Sequence, residues 1–110
     1  MQVQLQTDRH IEHNLGLEHH VEGVIRKTLQ PYRDQITRVD VHLSDVNSRK
    51  ASKHDKRCVV EFHLNGLHTM AVTAEADTVH HVLDNAAKKL RHAVATAYDK
   101  QQGRRHVVLH

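Results

Sequence analysis

Two kinds of hydrophobic periodicity divide the N-terminal third of the chain into a strand and a helix. Apolar and polar residues alternate over residues 2–6, a period that is typical of a strand with one apolar face. Over residues 14–30 the apolar residues instead recur every three or four positions, which predicts an amphipathic helix. Asn14 is a suitable N-cap for this helix, and Pro31 favours its end.

The period returns to two in the middle of the chain. Residues 36–44 and 58–64 each alternate between apolar and polar side chains, which predicts two half-buried strands. The dipeptide Asn65-Gly66 is a strong signal for a tight hairpin turn. We therefore expect a further antiparallel strand over residues 67–74.

The last predicted element is a long amphipathic helix. We expect Asp77 or Thr78 to cap its start and Gly103 to mark its end or the start of a frayed tail. Its apolar residues fall on one side at intervals of three and four positions: Val79, Val82, Leu83, Ala86, Leu90, Ala93 and Ala97. Such a stripe is typical of a helix that packs on the core of a domain.

These elements predict an α+β fold in the order β-α-β-β-β-α. The first helix would be a right-handed crossover between two parallel strands. Because one side of the strands is polar, both helices should pack on the other face of a single four-stranded mixed sheet, as in double-stranded RNA-binding domains. The chain of 110 residues has the length of one domain, which we assign to residues 1–101, with residues 102–110 as a basic tail.

Composition argues against several classes of protein. No apolar run approaches the ~20 residues of a membrane span, and the N-terminus has no apolar signal segment, so we expect a cytoplasmic protein. A single cysteine, Cys58, excludes an internal disulfide, and its inward position on a strand predicts a buried, unreactive thiol. Neither a phosphate-binding loop nor a hydrolase motif occurs, so we expect no enzymatic activity and no cofactor.

Positive charge is concentrated in two segments of the chain. The formal net charge is +3, with +3 in residues 45–57 and +5 in residues 88–110. Two basic blocks suggest a polyanionic partner, most often nucleic acid, whereas the alternative is a solvated, solubilising surface. The polar segment 45–56 has no periodicity and is predicted to be a mobile loop, which either orders on RNA or stays solvated. Its candidate RNA contacts are Arg49, Lys50 and Lys53.

The chain contains thirteen histidines, scattered along its whole length. His19-His20 and His80-His81 are adjacent pairs, and neighbouring residues on a helix point about 100° apart. Neither pair is therefore a ready two-ligand metal site, and a site would have to take one histidine from each helix. We expect no metal, and interpret the histidines as surface residues that become cationic toward RNA when the pH falls.

The helices carry residues that resemble a known family. In the last helix Asp84 is followed by a Lys-Leu pair that begins at Lys89, with His92 where the family usually has arginine. In the first helix Lys27 stands at a position that is basic in the family. Together with the order of elements, these residues resemble the ribosome hibernation-promoting factors, which include the ribosome-associated inhibitors and were once described as sigma-factor modulation proteins. The resemblance covers residues 1–101 and suggests a divergent subgroup.

The resemblance implies an rRNA-binding protein that occupies the mRNA and tRNA channel of the small ribosomal subunit and inhibits translation under stress or in stationary phase. No membrane and no small-molecule substrate is implied, and a homodimer is left open. The short chain and basic tail favour the promoting type over the acidic-tailed inhibitors. The helix residues assigned to RNA are Lys27, Lys88, Lys89, Arg91, His92 and Lys100. The alternative is a stress-response protein-interaction module that keeps the fold without binding ribosomes.

Overall fold

The fold has the predicted order of elements. The computed structural model describes residues 1–46 and 55–108, the last five of these by their backbone alone. The elements are β1 (Gln2–Thr7), α1 (Leu15–Leu29), β2 (Ile36–Asp45), β3 (Lys56–Leu64), β4 (Thr69–Ala76) and α2 (Val79–Val108). A short 3₁₀ turn, Gln30–Tyr32, follows α1 and contains the proline that was expected to end the helix. None of the helices in the described part of the chain is apolar over a stretch long enough to cross a bilayer.

The four strands form one mixed sheet in the spatial order β1-β2-β3-β4. β1 and β2 are parallel, and the other neighbouring strands are antiparallel. The register places Leu5 beside Val41, Val41 opposite Val60, and Val60 opposite Val72. This row of aliphatic side chains crosses the whole sheet on one face, as the alternating pattern of each strand predicted.

Both helices cover that apolar face and form one core with it. α1 contributes Val21, Ile25 and Leu29, which are fully buried, and α2 contributes a longer stripe that includes Leu90. The only phenylalanine of the chain, Phe62 on β3, lies at the centre of the core with 1% of its surface exposed. Both helices therefore pack on the same face of one four-stranded sheet, which confirms the predicted α+β fold.

Side-chain caps begin both helices. The Asn14 side chain accepts a hydrogen bond of 2.9 Å from the backbone N–H of Leu17, which confirms the predicted cap of α1. At α2 the cap is Thr78, whose hydroxyl oxygen accepts a bond of 3.0 Å from the backbone N–H of His81. Asp77 instead accepts a bond of 2.7 Å from the imidazole of His81. Of the two predicted caps, Thr78 is therefore the one that pairs a backbone N–H in the first turn of α2, which has no acceptor within the helix.

Three predicted boundaries are corrected by the structure. The first alternative for Gly103, the end of α2, is wrong: the helix continues to Val108, since a glycine weakens a helix by only about 1 kcal/mol and does not by itself stop it. β4 begins and ends two residues later than predicted, at Thr69 and Ala76, because the hairpin turn takes more residues than the Asn65-Gly66 pair. Asp45 and Lys56, placed in the predicted loop, belong to β2 and β3. A separate role for residues 102–110 stays a prediction.

Candidate RNA-binding face

Three cations from separate segments converge on one groove. Lys27 in the last turn of α1 and Arg91 in the middle of α2 line it together with Arg33, which follows the 3₁₀ turn. The groove has a volume of about 560 Å³ and is completed by Thr28, Gln30, Pro31 and the carboxylate of Asp34, so cations outnumber the one acidic group among the described lining residues. Lys27 and Arg91 were predicted to contact RNA, whereas Arg33 was missed, because a residue in an irregular connection carries no periodic signal.

The cations of this groove are available to an external anion. Neither Lys27 nor Arg91 forms an ion pair with any residue of the described ranges. Arg33 Nε lies 4.0 Å from Asp34 Oδ1, with both side chains more than half exposed, and an ion pair of this kind contributes little. By contrast, Arg26 Nε lies 2.8 Å from Glu22 Oε1, one helical turn earlier. Positive potential in the groove therefore comes from Lys27, Arg33 and Arg91.

Lys88 extends the basic surface along α2. It is exposed and precedes Arg91 by three residues and His92 by four, so all three lie on neighbouring positions of the helix surface. Arg91 and His92, in turn, point about 100° apart. The basic surface of α2 is therefore a ridge, formed by Lys88, Arg91 and His92, with Arg91 and His92 on opposite sides of it. The side of Arg91 faces α1.

Lys89 is held at the edge of the sheet. Its ammonium donates a hydrogen bond of 2.8 Å to the backbone carbonyl of Thr73 on β4. β4 is an edge strand, whose outer backbone groups have no strand to pair with. Lys89 thus satisfies a strand carbonyl from the helix above it, and its charge is less free to meet a phosphate than that of Lys88.

The His92 side of α2 forms another groove with the β3–β4 hairpin. His92 and Lys100 line it, with Leu67, His68 and Met70 on the hairpin side, around a volume of about 510 Å³. The residues predicted for RNA thus fall on two sides of α2, with Lys27 and Arg91 on one and His92 and Lys100 on the other. His68 joins the second group and was missed, because nothing in its local sequence sets it apart.

The predicted loop contacts Arg49, Lys50 and Lys53 lie outside the described residues. The base of this segment is defined, since Val46 N donates a hydrogen bond of 2.8 Å to the carbonyl of Asp55. The base stands at the end of β2, whereas the groove of Lys27 lies near its beginning. A ten-residue strand is about 30 Å long, so the two basic regions start from opposite ends of the sheet.

The buried cysteine and the open face of the sheet are weaker candidates for a functional site. Cys58 is fully buried, and this burial raises the pKa of its thiol to about 12, so the nucleophilic thiolate is disfavoured. On the open face of the sheet, Arg38 lies 3.0 Å from Asp40 and Arg57 lies 2.8 Å from Glu75. These ion pairs balance the positive charge of both arginines, so they leave this face less attractive to RNA than the groove of Lys27.

Comparisons with known proteins identify the family and the fold of the chain. The family model described as Sigma 54 modulation protein / S30EA ribosomal protein matches residues 5–102. A ribosomal subunit interface protein from Coxiella burnetii has a similar structure, with a TM-score of 0.72 and 21% identity over 90% of this chain and 99% of that chain. The N-terminal domain of Protein Y from Thermus thermophilus has a TM-score of 0.67 and 23% identity over 86% of this chain and 96% of that one. A comparison with curated protein sequences gives no match.

The two structural neighbours are too distant in sequence to show more than a shared fold. The family model, in contrast, spans all six elements from within β1 to within α2. It agrees with the resemblance that the helix residues suggested. The chain therefore belongs to the Sigma 54 modulation protein / S30EA ribosomal protein family, a family of ribosome-associated proteins.

Proposed function

We propose that this protein binds the rRNA of the small ribosomal subunit and blocks the channel through which mRNA and tRNA pass, without catalysing a reaction. The observation that carries the proposal is the groove in which Lys27, Arg33 and Arg91 meet. Family membership supports a ribosomal target. The name of the Coxiella burnetii protein supports a position at the interface of the ribosomal subunits.

The groove suits an RNA backbone better than a base. Lysine and arginine bind phosphate oxygens by charge-assisted hydrogen bonds, and such contacts position a protein on a nucleic acid without reading its sequence. Among the described residues, those that line the groove include no aromatic side chain on which a base could stack. Binding would therefore follow the shape of a folded RNA, as expected for a protein that acts on every ribosome.

Inhibition would then be steric. A domain of this size fills a channel when its basic groove is held against rRNA phosphates, and mRNA or tRNA cannot enter the same space. The proposal also implies a cytoplasmic protein. The action under stress or in stationary phase, and a homodimer, stay predictions from the family resemblance.

Co-sedimentation with purified small subunits and whole ribosomes tests the proposal. We expect stoichiometric pelleting that weakens as salt rises, because released counterions drive phosphate binding. An excess of mRNA and tRNA should displace the protein. The key variant is Lys27→Gln/Arg33→Gln/Arg91→Gln, which should pellet weakly at a salt concentration where the wild type pellets fully.

A matched control removes the same charge from other surfaces. Arg26→Gln/Arg38→Gln/Arg57→Gln also lowers the net charge by three, but its arginines are ion-paired to Glu22, Asp40 and Glu75. Equal loss of pelleting in both triple variants would mean that net charge matters and the groove does not. No pelleting of the wild type at any salt would favour the alternative, a protein-interaction module that has kept the fold.

The ridge of α2 needs its own variant. Replacing Lys88, Lys89 and Arg91 together by alanine tests whether this ridge contributes to binding. Because Lys89 also donates to Thr73, the stability of the variant must be compared with that of the wild type by thermal unfolding. Full ribosome association of a folded variant would contradict the assignment of these three residues.

A further inference from the structure

Histidines from the two helices meet at the N-terminal end of the helix pair. His20 Nε2 of α1 lies 3.2 Å from His80 Nδ1 of α2, and the two rings form an edge-to-face pair with centroids 4.8 Å apart. The neighbouring histidines do not share this contact. His81 binds the carboxylate of Asp77 instead, at 2.7 Å. A metal site on the helices requires one histidine from each of them, and His20 and His80 meet this requirement.

We propose that His20 and His80 form a binding site for a divalent transition-metal ion such as Zn²⁺. Imidazole nitrogens bind zinc at about 2.0–2.1 Å in tetrahedral geometry, which places two ligand nitrogens about 3.3 Å apart. The observed separation of 3.2 Å between His20 Nε2 and His80 Nδ1 matches this value. An ion would replace the hydrogen bond between the two nitrogens, with the donor ring carrying its proton on its other nitrogen instead, after a small rotation of the exposed rings.

The surroundings of the pair suit a cation. Both rings line a cavity of about 380 Å³, which also includes His10, Glu12 and Lys56. Lys56 is the only Lys or Arg among the described residues that line the cavity, and its ammonium lies 3.4 Å from Asp45 Oδ2 and 3.1 Å from Asp55 Oδ2. The charge of this ammonium is therefore balanced by two carboxylates, which reduces its repulsion of a divalent ion in the cavity.

Water would complete the coordination of the ion. Within the described part of the chain, no third histidine, cysteine, aspartate or glutamate joins the pair to form a complete ligand cluster. The cavity is open and large enough for water ligands. Imidazole ligands favour Zn²⁺, Cu²⁺ and Ni²⁺ over Mg²⁺, and two protein ligands bind more weakly than the four of a structural zinc site.

Metal binding would join the N-terminal parts of α1 and α2. Because the two histidines are 60 residues apart in the chain, they form a site only in the folded protein. A ligand that binds the folded state alone raises the midpoint of thermal unfolding. The protein is therefore expected to unfold at a higher temperature with ZnCl2 than with MgCl2.

Thermal unfolding of the full chain with either salt tests the proposal, with the variant His20→Gln/His80→Gln and the control His19→Gln/His63→Gln. Both variants retain eleven of the thirteen histidines. Zinc should raise the unfolding temperature of the wild type and the control, but not that of His20→Gln/His80→Gln. The single variant His20→Gln should lose most of the shift as well.

Titration with Co²⁺ adds a second readout, because its visible spectrum changes when imidazole nitrogens replace water ligands. The spectral change should be seen with the wild type and the control and not with His20→Gln/His80→Gln. Equal zinc shifts in the two double variants would assign binding to the scattered histidines and overturn the proposal, as would a wild type that zinc does not stabilise. None of these measurements involves ribosomes, so their outcome is independent of the proposed function.

Discussion

The side-chain amide of Gln101 donates a hydrogen bond of 2.7 Å to the backbone carbonyl of Asn65. This contact joins α2 to the β3–β4 turn across 36 residues of sequence. The next residue of the turn is Gly66, the only glycine of the described residues with a positive φ, at +86°. A Cβ atom on Gly66 would lie 2.8 Å from the same amide nitrogen, so a larger residue here would have to displace the Gln101 side chain as well as adopt a strained backbone conformation.

Gly66→Ala is expected to destabilise the protein by about 1–2 kcal/mol, since an alanine in the left-handed region is strained and its methyl group meets Gln101. Gly23→Ala is the matched control. Gly23 lies in α1 with no atom in the way of a Cβ, so alanine should stabilise the helix by about 0.5–1 kcal/mol. Urea unfolding measures both changes, and effects of the same sign would contradict this interpretation.

The two causes of the Gly66→Ala penalty can be separated by a double-mutant cycle with Gln101→Ala. Gln101→Ala alone should lower the free energy of unfolding by about 1 kcal/mol, because it removes one hydrogen bond. In the Gln101→Ala variant, the new methyl group at position 66 no longer contacts the amide. The loss of unfolding free energy caused by Gly66→Ala should therefore be smaller there and reflect the backbone strain alone. Strictly additive effects would show that the amide does not constrain the turn.

The core on the helix side depends on Leu90, which is fully buried between α2 and the sheet. Leu90→Ala should lower the free energy of unfolding by about 2–5 kcal/mol through lost apolar contact and the cavity that remains. Leu15→Ala makes the same chemical change at a side chain that is 70% exposed and should have little effect. Comparable losses in the two variants, measured by denaturant unfolding, would mean that α2 does not cover the core as described.

Stability at acid pH should depend on Asp77. The hydrogen bond from His81 holds the pKa of this carboxyl below its ordinary value of 3.8, so the folded state favours the charged form. The stabilisation is complete above the unfolded pKa and is lost as the pH falls through the lower folded pKa. Asp77→Asn should therefore unfold with a shallower loss of stability below about pH 5, a small effect because the group is exposed. An unchanged profile would exclude this carboxyl as a contributor.

The salt dependence of ribosome binding should identify individual phosphate contacts. Arg91→Gln is expected to reduce the slope of log affinity against log salt concentration by about 1, because one fewer counterion is released. Arg26→Gln is the control, since Arg26 is paired with Glu22 one turn earlier on α1, and it should leave the slope unchanged. Filter binding at four or more salt concentrations gives both slopes. An unchanged slope for Arg91→Gln would remove this residue from the interface.

The sequence by itself determined the elements and the class of fold. The alternating pattern around Val41 and Val60 and the helical spacing around Leu90 report local geometry, because strand and helix side chains repeat every two and every 3.6 residues. Asn14 identified the start of α1 for the same reason, since a cap bonds to residues a few positions away. Of the two roles predicted for Gly103, that of ending α2 was wrong, because glycine disfavours a helix without forbidding it.

Only the tertiary structure decided which side chains meet. Lys27 and Arg91 are far apart in sequence and share a groove because α1 and α2 lie side by side on one face of the sheet, and the same packing brings His20 to His80. Arg33 joins the groove from an irregular segment that carries no period to read. Periodicity fixes the direction of a side chain relative to its own element, whereas a site depends on the relative positions of several elements, which the packing of the whole core sets.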